Sequence, residues 1–303
     1  MADLCERRGL RVRSGIVPRI LLLAAVIIWG WTFIATKILV AELGPVEILS
    51  LRLLIGLPFL AGVVVLRRAP MRFGREDAVP ILLGGTIFAF HLIIQISGLL
   101  TATAVNTSWI ITVSPLATAV LSFLLLRERL TRGTVAGIGI ATIGVLLLVS
   151  RGRLTDLAWL QSTGDWLILA SAHTWAFYTI ATRNLARRRD PLAVTFAVML
   201  VAGLWAAVLF PLFGDVSRIR AMSMNGLLAL LYLAIPGGAL GQWFWQEGVA
   251  RVGATRAGLY LYLEPIATLA LAVPMLGEPF GMWVAIGGGL VLAGVYVGQR
   301  GRS

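Results

Sequence analysis

Trp29-Gly-Trp-Thr-Phe-Ile-Ala-Thr-Lys37 and Trp175-Ala-Phe-Tyr-Thr-Ile-Ala-Thr-Arg183 are two versions of one stretch. Trp, Ile, Ala and Thr fall at the same places in both, and the register continues through Leu39 and Pro45, which recur as Leu185 and Pro191 at the same offset of 146 residues (175 − 29). Farther on, Gly98, Ala104, Pro115, Glu128, Gly137, Gly139 and Gly144 recur as Gly248, Ala254, Pro265, Glu278, Gly287, Gly289 and Gly294, an offset of 150 (265 − 115). The chain is therefore duplicated, with a slightly longer connection in the second copy. Each copy reads as five apolar spans. An odd number turns the second copy upside down relative to the first.

With 58% hydrophobic residues, 13% charged residues and a mean hydropathy of +0.89 over 303 residues, the chain lies outside the composition of an ordinary soluble domain. A bilayer crossing needs roughly 20 apolar residues, and runs of about that length separate the charge clusters. The pattern predicts an all-α membrane protein of ten transmembrane helices, at 20–41, 46–66, 78–98, 104–126, 133–149, 166–183, 192–213, 226–246, 256–275 and 281–298. These are spans 1 to 10 below. They group into a tail (1–18), a first five-helix repeat (19–149), a linker (150–164), a second inverted five-helix repeat (165–298) and a tail (299–303).

The net charge of +12 would point to nucleic acid in a soluble protein, but its distribution gives another answer. Every Lys and Arg except Lys37, Arg52, Arg151, Arg153, Arg218 and Arg220 falls on one side of the ten-span arrangement. By the positive-inside rule that side is cytoplasmic, with both termini, in a cell inner membrane. The basic balance thus reports orientation and contact with anionic headgroups rather than a polynucleotide groove. The N-terminal arginines and following apolar run resemble a signal peptide, yet the run is longer than such a signal's core and nine spans follow, so it reads as an uncleaved first helix. Cys5, the single cysteine, allows no intramolecular disulfide and has no metal-ligand neighbours.

Trp159, Trp166 and Trp283 suit the outer headgroup level. Glycines at 133, 137, 139 and 144, and at 281, 287, 288, 289, 294 and 298, make spans 5 and 10 a packing or dimerisation element. Pro115 and Pro265 occupy equivalent places in spans 4 and 9, and Pro236-Gly237-Gly238 interrupts span 8. Each proline removes a helix hydrogen bond. Bends at matching places in inverted halves mark the binding site and gates of alternating-access transporters, although a tolerated kink would look the same.

Glu264 precedes Pro265 in mid-span, where its first-half equivalent is Ser114. A carboxylate at the bilayer centre costs about 2.5–3.5 kcal/mol on insertion scales, so it should face a polar cavity or a partner. It is a candidate for binding a proton or a substrate ammonium, against a packing role beside the kink. Trp31, Thr32, His91, Gln95, Asn106, Trp109, His173, Tyr178, Gln242, Trp243, Tyr260 and Tyr262 could line the same cavity. His91 and Gln95, four apart, share a helix face, and His91 could relay protons or make an interhelical hydrogen bond. Trp31, Trp243 and Tyr260 suit stacking on an aromatic substrate or a place in the core. Lys37 and Arg52, at the external ends of spans 1 and 2, read either as anchors pairing with Glu42 or as a carboxylate site. Glu128 and Glu278 fit helix starts.

Taken together, WGWTFIATK at Trp29–Lys37, Pro45 with Arg52, Pro115 and the RERL segment around Glu128 resemble one repeat of the drug/metabolite transporter superfamily, EamA type. Gly164-Asp165, Trp175–Arg183, Leu263-Glu264-Pro265 and the LGEP segment around Glu278 resemble the second. The resemblance implies ten helices, termini inside, and secondary transport of small metabolites, often amino-acid export. Val198 stands where Arg52 would recur, so any charged site is asymmetric.

No phosphate-cradling loop, metal-ligand cluster or nucleophile–base pair is present in the sequence, which speaks against an ATP-driven pump, a metalloenzyme or an intramembrane hydrolase and implies no cofactor. The leading expectation is a secondary transporter, an exporter, of small amphiphilic metabolites such as amino acids. Multidrug or organic-cation efflux is the rival, and a non-transporting scaffold or sensor is the alternative of another class. Expected partners are a small-molecule substrate, the bilayer and protons, with no nucleic acid; both a monomer and a homodimer fit.

Overall fold

A computed structural model describes residues 16–127, 130–149, 162–276 and 282–300. The readings made on Cys5, Glu128, Glu278, Trp159, most of the linker and most of the N-terminal tail lie outside the described residues.

All regular structure among the described residues is helical. Spans 1, 2 and 3 are Ile16–Leu39, Pro45–Leu66 and Arg75–Leu99, span 5 is Arg132–Val149, and spans 6, 7 and 10 are Thr163–Arg188, Pro191–Phe213 and Met282–Arg300. The other three spans are interrupted. Span 4 is Ala104–Ile110 followed by Val113–Leu126. Span 8 runs from Met224–Tyr232 through a π-helical stretch, Leu233–Leu240, into Gly241–Val252. Span 9 is Ala254–Gly258, a 3-10 turn at Leu259–Leu263, and Glu264–Leu276. Spans 1, 2, 3, 4, 7 and 8 are each long and apolar enough to cross a bilayer unaided. Span 6 is less apolar because its buried face carries Ser171, Tyr178, Thr179 and Thr182.

The start of span 1 and the end of span 10 share one side, called here the terminal face, and the other side is the far face. The two repeats interlock rather than stand side by side. Span 3 packs along span 6, and the equivalent span 8 along span 1; span 4 packs on span 6, and the equivalent span 9 on span 1; spans 2 and 7, and spans 5 and 10, pair with each other. Every one of these contacts maps onto another, or onto itself, when the repeats are exchanged. Small residues allow the closest crossings. A Cβ on Gly30 would lie 2.8 Å from the Ala267 side chain and the Glu264 carbonyl, and one on Gly137 would lie 2.5 Å from the Gly298 backbone. Gly137, Gly144 and Gly294 are thus spent on the crossing of spans 5 and 10, whereas a Cβ on Gly139, Gly288 or Gly289 would meet nothing within 4 Å among the described residues.

Polar latches tie the repeats at both faces. On the far face the Glu42 carboxylate accepts hydrogen bonds from the Ser223 hydroxyl (2.6 Å) and backbone N–H (2.7 Å), at the start of span 8. On the terminal face Arg189 pairs with Asp77 (2.7 Å) and Glu76 (2.8 Å) at the start of span 3. These are equivalent places, the loop after the first span of one repeat over the third span of the other.

Candidate functional site

The two proline bends converge on one place. Ile111 and Leu261 each stand four residues before a proline, and the proline ring leaves their carbonyls without the usual helical donor. Both accept a tighter bond instead: Ser114 N–H donates to Ile111 O (2.9 Å), and Glu264 N–H donates to Leu261 O. Both residues line a central cavity with Trp29, Thr32, Phe33 and Thr36 of span 1, Arg52 of span 2, Phe88, His91, Leu92 and Gln95 of span 3, Trp175 of span 6, Gly237 and Gln242 of span 8, and Glu264. Thr36, Arg52 and Gln95 place it in the half of the protein nearer the far face. The π-helical stretch is stitched to span 1, with Trp29 Nε1 donating to Gly237 O (2.9 Å) and Tyr232 Oη to Ile28 O (2.8 Å). Such stretches recur at functional sites because they shift backbone groups out of the helical register.

Below the cavity, toward the terminal face, lies an aromatic floor. Trp29 meets Trp175 edge-on at 5.0 Å and Trp245 at 5.5 Å, and Trp175 also meets Tyr178 and His91 at 5.2 Å. Beneath it the Tyr178 hydroxyl accepts hydrogen bonds from the side-chain amides of Gln242 (2.5 Å) and Gln246 (2.6 Å).

The cavity walls carry charges of both signs. Arg52 is 8% exposed and Glu264 3% exposed. Neither side chain makes a hydrogen bond or ion pair with another group among the described residues. A buried charge with no partner is destabilising by roughly several kcal/mol. His91 is anchored: its Nδ1 bonds Ser171 O at 3.0 Å and Thr174 Oγ1 at 3.1 Å. A carbonyl can only accept, so in the neutral ring Nδ1 carries the hydrogen and Nε2 is the free acceptor.

Of the residues singled out in the sequence, Thr32, His91, Gln95, Arg52, Gln242 and Glu264 meet in this cavity. Others do not line it. Trp31 is partly exposed on the outer surface and donates to Ala267 O (3.0 Å). Asn106 donates to Asp165 at 2.6 Å near the far face, tying span 4 to the start of span 6. Trp109 and Tyr262 border a separate small, mostly apolar cavity with Thr142. Tyr178 lies just under the floor, Tyr260 is in the main core, and Trp243 stacks under Arg67 (5.2 Å). His173 is exposed and bonds the Leu169 carbonyl one turn back. Pro115 packs against Gly258.

The charge-pairing expectation also changes. Glu42 pairs with neither Lys37 nor Arg52 among the described residues, because Ser223 takes both of its oxygens. Lys37 donates to Leu99 O and Ala102 O, each at 2.9 Å, capping the end of span 3. Arg52 does not snorkel to the surface; it points inward, its guanidinium near Gly238 of the π-helical stretch. Trp29, Thr36, Phe88 and Trp175 were not singled out as lining residues. For Trp29 and Trp175 the signal was available in their strict recurrence.

Comparison with known proteins gives a consistent result. The EamA-like transporter family matches residues 18–150 and again residues 162–298. An uncharacterized transporter of Archaeoglobus fulgidus is 27% identical over 93% of this chain and 99% of its own length. A probable amino-acid metabolite efflux pump of Salmonella typhimurium is 28% identical over 93% of this chain and 94% of its own. A solved crystal structure, 21% identical, superposes with a TM-score of 0.75 over 93% of this chain and 98% of that one, which speaks for the fold.

Proposed function

The chain belongs to the EamA-like transporter family, and from that premise we propose that it is a secondary transporter exporting small zwitterionic metabolites, amino acids foremost, across the cell inner membrane by alternating access. One observation carries the substrate reading. Arg52 and Glu264 are buried, opposite in charge, border the same cavity, and have no ion-pair partner among the described residues. A zwitterion supplies both missing partners at once, its carboxylate to Arg52 and its ammonium to Glu264. Charge-assisted hydrogen bonds of this kind are roughly twice as strong as neutral ones. The aromatic floor of Trp29, Trp175 and Phe88 then offers an apolar seat for the side chain.

The rival substrate, a lipophilic cation, would use Glu264 and the aromatic floor but would bring a second positive charge beside Arg52. That repulsion favours the zwitterion. The amino-acid efflux assignment of the Salmonella relative supports the same class. The concentration of arginine on the terminal face supports placing that face, with both termini, in the cytoplasm. Glu264 and His91, which line the same cavity, are the groups through which substrate movement would couple to protons.

The test is counterflow into proteoliposomes under an imposed pH gradient, with amino acids and lipophilic cations as alternative substrates. The expected result is exchange of amino acids, dependent on the gradient and lost in Arg52→Gln and Glu264→Gln. Exchange of cations alone, indifferent to Arg52→Gln, would transfer the protein to the rival class.

A further inference from the structure

On the terminal-face side of the aromatic floor the interior is closed, yet it is polar. Ser114, Thr118 and Ser122 follow one another at four-residue spacing along span 4, and each hydroxyl is fully buried with no hydrogen-bond partner. Thr179 Oγ1 of span 6 and Gln246 Oε1 of span 8 are buried and unpaired in the same way. A serine or threonine in an apolar helix ordinarily satisfies itself on the carbonyl one turn back. Thr36, Thr182 and Thr268 do so in this protein, at 2.7, 3.0 and 3.0 Å. The hydroxyls of Ser50 and Thr107 are also buried without a partner, but among the described residues only Ser114, Thr118 and Ser122 form a run of such hydroxyls one turn apart.

Their places in the duplication say what surface they belong to. Ser114 and Thr118 are the equivalents of Glu264 and Thr268, at the offset of 150. Tyr178 and Thr179 are the equivalents of Thr32 and Phe33, at the offset of 146, and both of the latter line the central cavity. The span 4 face is shut by span 6, on which it packs, and by Gly258 of span 9, which approaches Pro115 and Thr118 closely.

We propose that the column of Ser114, Thr118 and Ser122 on span 4, with Thr179 on span 6 and Gln246 on span 8, lines a second, closed binding path, which takes water and the polar ends of a zwitterionic solute when the cavity opens to the terminal face. This rests on the alternating-access reading above. Buried groups that lack partners in this conformation find them in the other, where the floor of Trp29, Trp175 and Trp245 has parted. Where the open half has a carboxylate, the closed half has only the Ser114 hydroxyl. A solute therefore moves along the column by exchanging neutral hydrogen bonds, with no ion pair to break.

The test uses full-length Cys5→Ser protein carrying Thr118→Cys, or Ser122→Cys one turn closer to the terminal face, both near-isosteric changes. Right-side-out and inside-out membrane vesicles are treated with a membrane-impermeant cationic methanethiosulfonate, with and without L-phenylalanine, against Thr36→Cys as the far-face control and Leu124→Cys as an exposed apolar control. The expected result is modification of both column positions from the terminal face only, at a rate that L-phenylalanine changes by about tenfold, while Leu124→Cys stays unmodified. Failure of both column positions to react from either side, while Thr36→Cys reacts to completion, would overturn the proposal. If the column reacts but no amino acid alters its rate or is exchanged, the path stands and the zwitterion reading falls. If amino acids exchange but the column never reacts, the reverse holds.

Discussion

Spans 4 and 9 share one backbone and differ in one decisive side chain. Each is broken in the turn before an equivalent proline, and each repairs the orphaned carbonyl with the backbone N–H of the residue just before that proline. In span 9 that residue is Glu264; in span 4 it is Ser114, equally buried but uncharged. The comparison separates what duplication conserves from what function requires. Backbone bends were kept in both copies, as the proposed alternating access requires of both halves. Charge was placed in one copy only, and Arg52, opposed by Val198 in the second repeat, makes the same point from span 2.

Removing the difference should have the largest effect. Glu264→Gln leaves the bend intact but deletes the carboxylate, and amino-acid counterflow is expected to fall by about 100-fold or more, the effect of losing one partner of a buried charge pair. The reverse transplant, Ser114→Glu, places a carboxylate in a site with no cation described nearby. It should lower unfolding free energy by roughly 3 kcal/mol, measured by thermal unfolding in detergent. The bends themselves come next. Pro115→Ala and Pro265→Ala each restore a helical donor and should raise stability, but transport should fall by about tenfold, or roughly 1.4 kcal/mol, and more in Pro265→Ala because that bend aims Glu264.

The smallest effect belongs to the far-face latch. Hydrogen bonds from the Ser223 hydroxyl and backbone N–H hold the Glu42 carboxylate below the usual range. Because the folded value is the lower one, its contribution is complete at neutral pH and is lost as pH falls through that value. The unfolding temperature of the wild type should therefore drop more steeply between about pH 5 and pH 3 than that of Glu42→Gln.

Much of this was legible in the sequence, and the reason lies in the duplication. Ten spans, the paired breaks at Pro115 and Pro265, and the asymmetry of Glu264 and Arg52 follow from aligning the chain with itself. What could not be read was the rotation of each helix. Span 1 is apolar nearly all round, so no hydrophobic face says which residues look inward. Trp29 and Trp31 are two residues apart, about 200° around the helix; the first lines the cavity and the second lies at the outer surface. Asn106 and Lys37 misled for a different reason: both bond partners distant in sequence, Asp165 and the end of span 3, which only the fold brings near. Trp29 and Trp175 could have been found, since they are bulky aromatics that recur at the offset of 146.

The most direct measurement of the central claim is calorimetric binding of three ligands to purified protein: the amino acid that exchanges best, its decarboxylated amine and its deaminated acid. The wild type should bind the amino acid at least about tenfold more tightly than either half-ligand, a difference of roughly 1.4 kcal/mol. Arg52→Gln should lose the preference over the amine, and Glu264→Gln the preference over the acid. Equal affinity of the wild type for all three ligands, or unchanged preferences in both variants, would contradict a site built from Arg52 and Glu264.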